Sequence, residues 1–250
     1  QEADPGQPDH GGQVCRTQAS RPHGGRLKAS VSPSAPPSRK VLLAGASGLV
    51  GGHLLRGLLA DESVSDVFAP VRRALAVSHP KLHTQPVDFS ALPAFAPLDE
   101  AYLALGTTIK VAGSQQAFRA VDFEASLAVA RAAVQAGARR IGLVSAAGAN
   151  ARSAVFYNRV KGELEDALRQ LPLDGLVIAR PSLLLDGRSH LGQPPRLAES
   201  LVMPIARLIA PLTPGTYRPI HAGAVARALL RTVPTAQGVQ ILPSGDMATR

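Results

Sequence analysis

The sequence has one cysteine, no tryptophan and few aromatic residues, which make up 4% of its 250 positions. A single cysteine, Cys15, supplies neither a disulfide framework nor a cluster of metal ligands. The histidines also lack the spacing of metal ligands, so we expect no bound metal. We therefore expect a reducing compartment inside the cell and a cytoplasmic location.

A hydrophobic run long enough to cross a bilayer is also missing. The longest apolar passage near the end, LAESLVMPIARLIAPL, is interrupted by Glu199, Pro204 and Arg207. It is too short and too polar to span a membrane, so no integral membrane segment is expected. We interpret it as helices that cover a pocket or the core, with a helix on a membrane surface as the alternative.

Acidic residues are outnumbered by basic ones, which gives the chain a formal charge of +9. The basic residues are scattered, however, without interleaved aromatic residues and without a recognisable nucleic-acid-binding motif. We expect no nucleic-acid partner. An anionic small ligand or an acidic surface accounts for the charge at least as well.

Residues 1–38 lack apolar periodicity and are rich in Gly, Pro, Ser, Gln and Arg. This composition predicts a disordered extension that is dispensable for folding, because it buries too little apolar surface to offset the entropy of ordering. It has no continuous apolar stretch of the kind that marks a secretory signal. Its arginines are also compatible with an organelle-targeting peptide. A leader that is foreign to the natural protein is equally compatible with this composition. Residues 39–250 are expected to form one domain.

From Lys40 onward, short apolar stretches alternate with helical patterns. After a first strand in KVLLAG, further strands are predicted near residues 67–71, 82–87, 101–105, 141–144 and 176–179. One helix is predicted over residues 114–136, ending at Gly137 as a C-terminal glycine cap. This alternation predicts an α/β fold with a doubly wound, mostly parallel sheet.

The stretch GASGLVG joins the first strand to a leucine-rich helix and contains Gly45, Gly48 and Gly51. Gly45 would permit a tight turn, Gly48 a close approach of the backbone to a pyrophosphate, and Gly51 close packing of helix on strand. The same turn contains Ser47, Leu49 and Val50. The glycine spacing departs from GxGxxG, and glycines also occur in turns for conformational reasons alone. The position of this glycine turn between a strand and a helix nevertheless predicts a dinucleotide site.

Arg72 and Arg73 follow the second strand, where an NAD site usually has an acid and an NADP site an arginine. A guanidinium matches phosphate geometry, so NADP(H) is favoured over NAD(H). Asp66 begins this strand and lies at the wrong end. Two solvated loop arginines are the alternative interpretation.

With GASGLVG, ALGTT, LVSAAGA, YNRVK and ARPSLLL in this order, the chain resembles the short-chain dehydrogenase/reductase superfamily, whose members have an NAD(P)-binding Rossmann fold. The nearer resemblance is to its atypical branch, the Tat-interacting tumour-suppressor-like oxidoreductases and their bacterial relatives. The resemblance covers about residues 39–243, and ALGTTIKVAGSQQAFRAVDFE and YNRVKGELE are its most specific parts. The stretch PIHAGAVARALL is also similar to the family's late segment before a helix, but it has HAGAVA where many members have an acidic pair.

The resemblance implies further cofactor contacts. Asp88 and Phe89 would lie by the adenine, and Leu105, Gly106 and Thr107 would follow the cofactor after the fourth strand. Val121 would press against the adenosine side, and Pro181 and Ser182 would border the nicotinamide. For the GTT turn simple loop chemistry is the alternative, and for Val121 a place in the core.

The stretch YNRVK places Tyr157 one helical turn before Lys161, so both share a helix face. The resemblance implies that Tyr157 moves a proton at the substrate oxygen, while Lys161 binds the nicotinamide ribose and favours the phenolate. Ser145, after the strand at 141–144, would hold and polarise the substrate oxygen. Many relatives have further hydroxyl residues where this chain has Ala146 and Ala147. An ordinary helix face is the alternative for the Tyr–Lys pair.

These observations predict an NADPH-dependent oxidoreductase that acts on a carbonyl or alcohol of a small molecule. A nucleotide-sugar epimerase is a variant of this chemistry, although the chain is short for one. The alternative class is an NADP(H)-binding regulatory or sensor protein without turnover, which Ala146 and Ala147 make credible. Residues 183–216 would form a small, variable C-terminal region that covers the substrate. We expect a monomer or a homodimer.

Overall fold

A seven-stranded sheet, in which all strands are parallel, is the framework of the chain. The structure, a computed structural model, describes residues 38–185 and 217–248. The strands are β1 (Arg39–Ala44), β2 (Val64–Val71), β3 (Leu82–Pro86), β4 (Glu100–Leu103), β5 (Arg140–Val144), β6 (Gly175–Arg180) and β7 (Gly238–Pro243). Their order across the sheet is β3-β2-β1-β4-β5-β6-β7. The prediction of an α/β fold with a doubly wound sheet is confirmed.

Helices cover both faces of the sheet. They are α1 (Leu49–Ala60), α2 (Ile109–Ala112), α3 (Gln115–Arg119), a π-helical segment (Ala120–Ala125), α4 (Ser126–Gln135), α5 (Phe156–Arg169), α6 (Ala222–Thr232), a 3₁₀ turn (Val233–Thr235) and α7 (Ser244–Ala248). Val41 and Leu43 of β1 belong to the core under α1 and α6. Leu42 and Ala44 belong to the core under α4 and α5. This alternation follows from the twofold side-chain period of a strand, and it explains why β1 is apolar throughout.

The sequence analysis located the first six strands and missed β7. The missed strand is at the edge of the sheet, and its Val239 and Ile241 are exposed. Because an edge strand is covered less than a central one, it does not need the continuous apolar run by which the buried strands are recognised.

The single helix predicted over residues 114–136 is wrong in its middle. It is divided into α3, the π-helical segment and α4, although it ends at Gly137 with φ 102° as expected. A π turn adds a residue to the helical repeat and shifts the face that the following side chains present. The residues AVDFEA are compatible with either helix type, so local propensity does not reveal the change.

Several predictions fall on residues outside the described ranges. They concern the extension 1–38 apart from its last residue, the passage LAESLVMPIARLIAPL, and all of the segment 183–216 beyond residue 185. Within 38–185 and 217–248, no helix is long and apolar enough to cross a membrane.

The turn between β1 and α1 depends on very close backbone packing. Gly45 has φ 88°, and a Cβ added there would lie 2.4 Å from the carbonyl oxygen of Ala104. A Cβ on Gly51 would lie 1.9 Å from the carbonyl oxygen of Gly45, so α1 packs directly beneath the turn. The predicted tight turn and close helix packing are therefore both present.

Neighbouring glycines of α1 provide a matched test of this packing. We expect Gly51→Ala to destabilise the fold by about 1–3 kcal/mol, because the new methyl group overlaps the turn. At Gly52 the nearest atom to an added Cβ is 3.8 Å away. Gly52→Ala should therefore be neutral or stabilising by up to about 1 kcal/mol, since alanine favours a helix. Equilibrium unfolding in urea measures both, and equal effects would contradict the packing argument.

Candidate dinucleotide and catalytic site

The predicted site residues lie along one edge of the sheet, because each group follows the carboxyl end of a parallel strand. They come after β1 (Gly45, Ser47, Gly48, Leu49, Val50, Gly51), β2 (Arg72, Arg73), β3 (Asp88, Phe89), β4 (Leu105, Gly106, Thr107), β5 (Ser145) and β6 (Pro181, Ser182). Strands β1 and β4 are neighbours, and the order of connection reverses between them. Ligands of open α/β sheets bind at such a switch point.

The amino end of α1 is open to an anion. Gly48 is its N-cap, no side chain caps it, and its first turn contains no acidic residue. The N–H of Gly48 donates to the carbonyl of Gly45 at 2.9 Å, which closes the turn. Val50 is buried in the core, whereas Ser47 is exposed. The first backbone N–H groups of a helix lack partners within it, so this end suits a pyrophosphate.

The part of the edge that follows β2 has exposed cations. Arg72 and Arg73 are both exposed, and neither guanidinium has a hydrogen-bond or ion-pair partner within the described ranges. Asp88 is exposed and accepts a hydrogen bond from the Ser90 N–H at 2.9 Å, and this bond lowers the pKa of its carboxyl. Phe89 is half-buried and packs against the core that contains Leu42.

A buried ion pair lies at the centre of the edge. The Nζ of Lys161 is 2.7 Å from Oδ1 of Asp122, and the two side chains are 5% and 1% exposed. Oδ2 of Asp122 accepts a hydrogen bond from the Thr107 N–H at 2.9 Å. Oδ1 has no hydrogen bond of good geometry, and its contact with the ammonium is electrostatic. Asp122 therefore joins the turn after β4 to α5.

The ionisation of Lys161 reflects its surroundings. Burial acts to lower the pKa of its ammonium, but the charge of Asp122, followed by Tyr157, raises it. The net effect is a pKa above the ordinary lysine value. The contact with the Asp122 carboxylate thus favours the charged form of Lys161.

Sequence reasoning missed Asp122, although a signal was present. Asp122 stands on the face of the predicted helix that also carries Phe118, Ala125 and Val129, all of which are buried. An acid at the helical spacing of a buried apolar face needs a partner, because burying an unpaired carboxylate is costly.

Tyr157 is half-buried and precedes Lys161 by one turn of α5. Its ring lies against that of Phe118, with 5.5 Å between centroids, and Phe118 is fully buried. Its hydroxyl has no hydrogen-bond partner among residues 38–185 and 217–248. The structure thus brings together Tyr157, Lys161 and the turn at Thr107.

Ser145 is placed differently. Its Oγ donates a hydrogen bond of 2.6 Å to Oε1 of Glu165, which is 1% exposed. Glu165 also accepts two hydrogen bonds from Arg180, at 3.0 and 2.5 Å. A serine hydroxyl has a single proton, so this bond leaves Ser145 only as an acceptor toward other groups. The structure shows no hydrogen bond between Ser145 and Tyr157.

The remaining predicted residues frame the site. Gly106 is exposed, and Leu105 and Val121 are half-buried. The carbonyl of Pro181 accepts a hydrogen bond from the Ala147 N–H at 2.8 Å. The Ser182 Oγ lies 2.9 and 3.0 Å from the carbonyl oxygens of Tyr217 and Arg218, and its single proton is available to one of them at a time. In the described part of the chain, no three metal-capable side chains form a group that could hold a metal ion.

Solved structures show the same fold. The complex of MoeE5 with UDP-glucuronic acid and NAD has a TM-score of 0.61 at 20% identity, over 81% of this chain and 75% of that one. A short-chain dehydrogenase family protein from Francisella tularensis has a TM-score of 0.59 at 13% identity, over 85% of this chain and all of its own.

No family model matches the chain. Curated proteins are similar to the chain in sequence, and they show the family to which it belongs. Protein FMP52, mitochondrial, from Candida albicans is 33% identical over 196 residues, which cover 73% of this chain and 82% of the relative. The protein of the same name from Lodderomyces elongisporus is 35% identical over 166 residues, covering 61% and 70%. The chain belongs to the FMP52 family.

The relatives also correct one expectation. Their names place them in mitochondria. The cytoplasmic location inferred from the single cysteine is therefore wrong, because scarce cysteine indicates a reducing environment and does not distinguish one reducing compartment from another.

Proposed function

We propose that this protein is an NADP(H)-dependent oxidoreductase that acts on a carbonyl or alcohol group of a small molecule. The observation that carries the proposal is the pairing of half-buried Tyr157 with buried, ionised Lys161. This pair lies on the same sheet edge as the open amino end of α1. The close-packed glycine turn and the uncapped helix fit a dinucleotide pyrophosphate.

In this proposal, Tyr157, Lys161 and Phe118 have different roles in the reaction. A bound nicotinamide supplies a hydride to the substrate carbon or takes one from it. In the reducing direction, the Tyr157 hydroxyl gives its proton to the carbonyl oxygen and is reprotonated from solvent. The Lys161 ammonium stabilises the negative charge that remains on the phenol oxygen and donates hydrogen bonds to ribose hydroxyls. Phe118 fixes the direction of the tyrosine ring.

A sensor protein that binds NADP(H) without turnover is the second candidate. The hydrogen bond from Ser145 to Glu165 favours it, because a hydroxyl committed to Glu165 does not also donate to a substrate oxygen. Ala146 and Ala147 provide no replacement hydroxyl. An oxidoreductase role for Ser145 requires the hydroxyl to turn away from Glu165 when substrate binds.

Within the class, we also propose kinship with the Tat-interacting oxidoreductases, on the motifs ALGTTIKVAGSQQAFRAVDFE and YNRVKGELE. A tree of many homologues that separates the two groups would overturn this.

We propose a mitochondrial location on the names of the relatives. Fractionation of cells that express the tagged chain should recover it with mitochondrial markers. Recovery with cytosolic markers would overturn the proposal.

Tyr157→Phe separates the two candidate functions. We expect turnover of a carbonyl panel with NADPH to fall at least about hundredfold, because the proton is lost while the ring still packs on Phe118. NADPH affinity should stay within roughly threefold. Steady-state kinetics and cofactor titration measure both, and undiminished turnover in Tyr157→Phe would refute the catalytic assignment.

Ser145→Ala is the matched comparison. A loss of turnover as large as that of Tyr157→Phe would assign Ser145 a part in catalysis. Nearly unchanged turnover would show that Ser145 serves only to hold Glu165.

Cofactor preference tests the two arginines. If they bind the 2′-phosphate, each charge-assisted contact contributes about 1.5–3 kcal/mol, enough for at least about a tenfold preference for NADPH over NADH. Replacing Arg72 and Arg73 by alanine should abolish the preference and leave NADH binding unchanged. Arg231→Ala, an exposed arginine in the last turn of α6, is the control for net charge. Equal wild-type affinities for the two cofactors would contradict the NADP assignment.

A further inference from the structure

Asp122 has no part in the function as proposed so far, yet it is one of the most deeply buried charges of the described chain. Its carboxylate contacts the Lys161 ammonium at 2.7 Å, and both side chains are excluded from water. Two buried charges are stable together and costly apart, because each was taken out of water. The pair therefore fixes where the ammonium can lie.

The other charged groups near Lys161 leave Asp122 as its counter-ion. On α5 itself, Tyr157 is neutral in its protonated form, and Glu165 is already bound by Arg180 of β6 and by Ser145. Glu163 of α5 pairs with Arg119 of α3. On the helices packed against α5, Glu124 of the π-helical segment and Arg131 of α4 are both exposed.

Asp122 lies in the π-helical segment. It is the third residue of the segment, and its two oxygens divide between Lys161 and the Thr107 N–H. Such π turns recur at functional sites. The turn that follows β4 and the helix that carries Tyr157 are thereby held by a single carboxylate.

We infer that Asp122 is a positioning residue of the site, which keeps the Lys161 ammonium charged and holds it between the Thr107 turn and Tyr157. The kinetic consequence of this inference rests on the proposed function, whereas the state of the ammonium does not. A neutral amine at Lys161 would lose both its hold on a ribose and its stabilisation of the phenolate.

Asp122→Asn removes the charge and retains an oxygen that can accept from Thr107. With its counter-ion gone, burial dominates and the pKa of Lys161 falls. The chain has five lysines, so lysines labelled with ¹³C at Cε give a spectrum simple enough to follow each one with pH. The Lys161 signal is identified by its absence in Lys161→Arg.

In the wild type, Lys161 should keep its proton to a higher pH than the other lysines. In Asp122→Asn it should lose the proton at a pH lower by at least about one unit. Glu163→Gln, which removes a half-exposed acid from the same helix, is the control and should leave the Lys161 titration unchanged. A wild-type Lys161 that deprotonates before the other lysines would overturn the inference, and this arm needs no variant to fold.

The pH dependence of turnover gives the second readout. Asp122→Asn should retain turnover near about pH 6 and lose it as Lys161 loses its proton, at a pH at least about one unit lower than in the wild type. A purely structural role would lower turnover by the same factor at every pH, and that result would contradict the inference. If the wild type has no turnover, the proposed function fails while the lysine titration still decides the role of Asp122.

Discussion

The contact between Lys161 and Asp122 is the interaction on which the geometry of the site depends. It joins the turn after β4, the π-helical segment and α5, three elements that are distant in sequence. Because both charges are buried, removing either one would leave the other buried without a counter-ion, which is strongly destabilising. Tyr157 lies one turn away on α5 and packs on Phe118.

The two parts of the candidate site are built by different physical means. At the turn after β1, side chains are absent: Gly45 and Gly51 allow backbones to approach more closely than any Cβ permits, and no side chain caps α1. Around α5, charges are buried and paired, as in Lys161 with Asp122 and Glu165 with Arg180. The open amino end of α1 after β1 and the desolvated cation of α5 after β5 lie along one sheet edge, which suits a ligand that is charged at one end and reactive at the other.

Much of this fold is readable from the sequence, because buried parallel strands are continuous apolar runs and the central strands β1, β4, β5 and β6 are largely of that kind. The edge strand β7 is not, since Val239 and Ile241 face solvent. In the site, local spacing predicts the glycine turn and places Tyr157 and Lys161 on one face. It does not predict the pairing of Ser145 with Glu165, twenty positions away, or of Asp122 with Lys161. Those depend on packing between elements and on a π turn that propensity does not distinguish.

A crystal structure of the protein with NADPH tests the central claim, that this edge binds a dinucleotide and presents its nicotinamide to Tyr157. The account predicts the pyrophosphate over the Gly45–Gly51 turn, the 2′-phosphate against Arg72 and Arg73, and the nicotinamide ribose within hydrogen-bonding distance of Lys161, with the Asp122 contact intact. A dinucleotide bound elsewhere, or a nicotinamide remote from Tyr157 and Lys161, would contradict it.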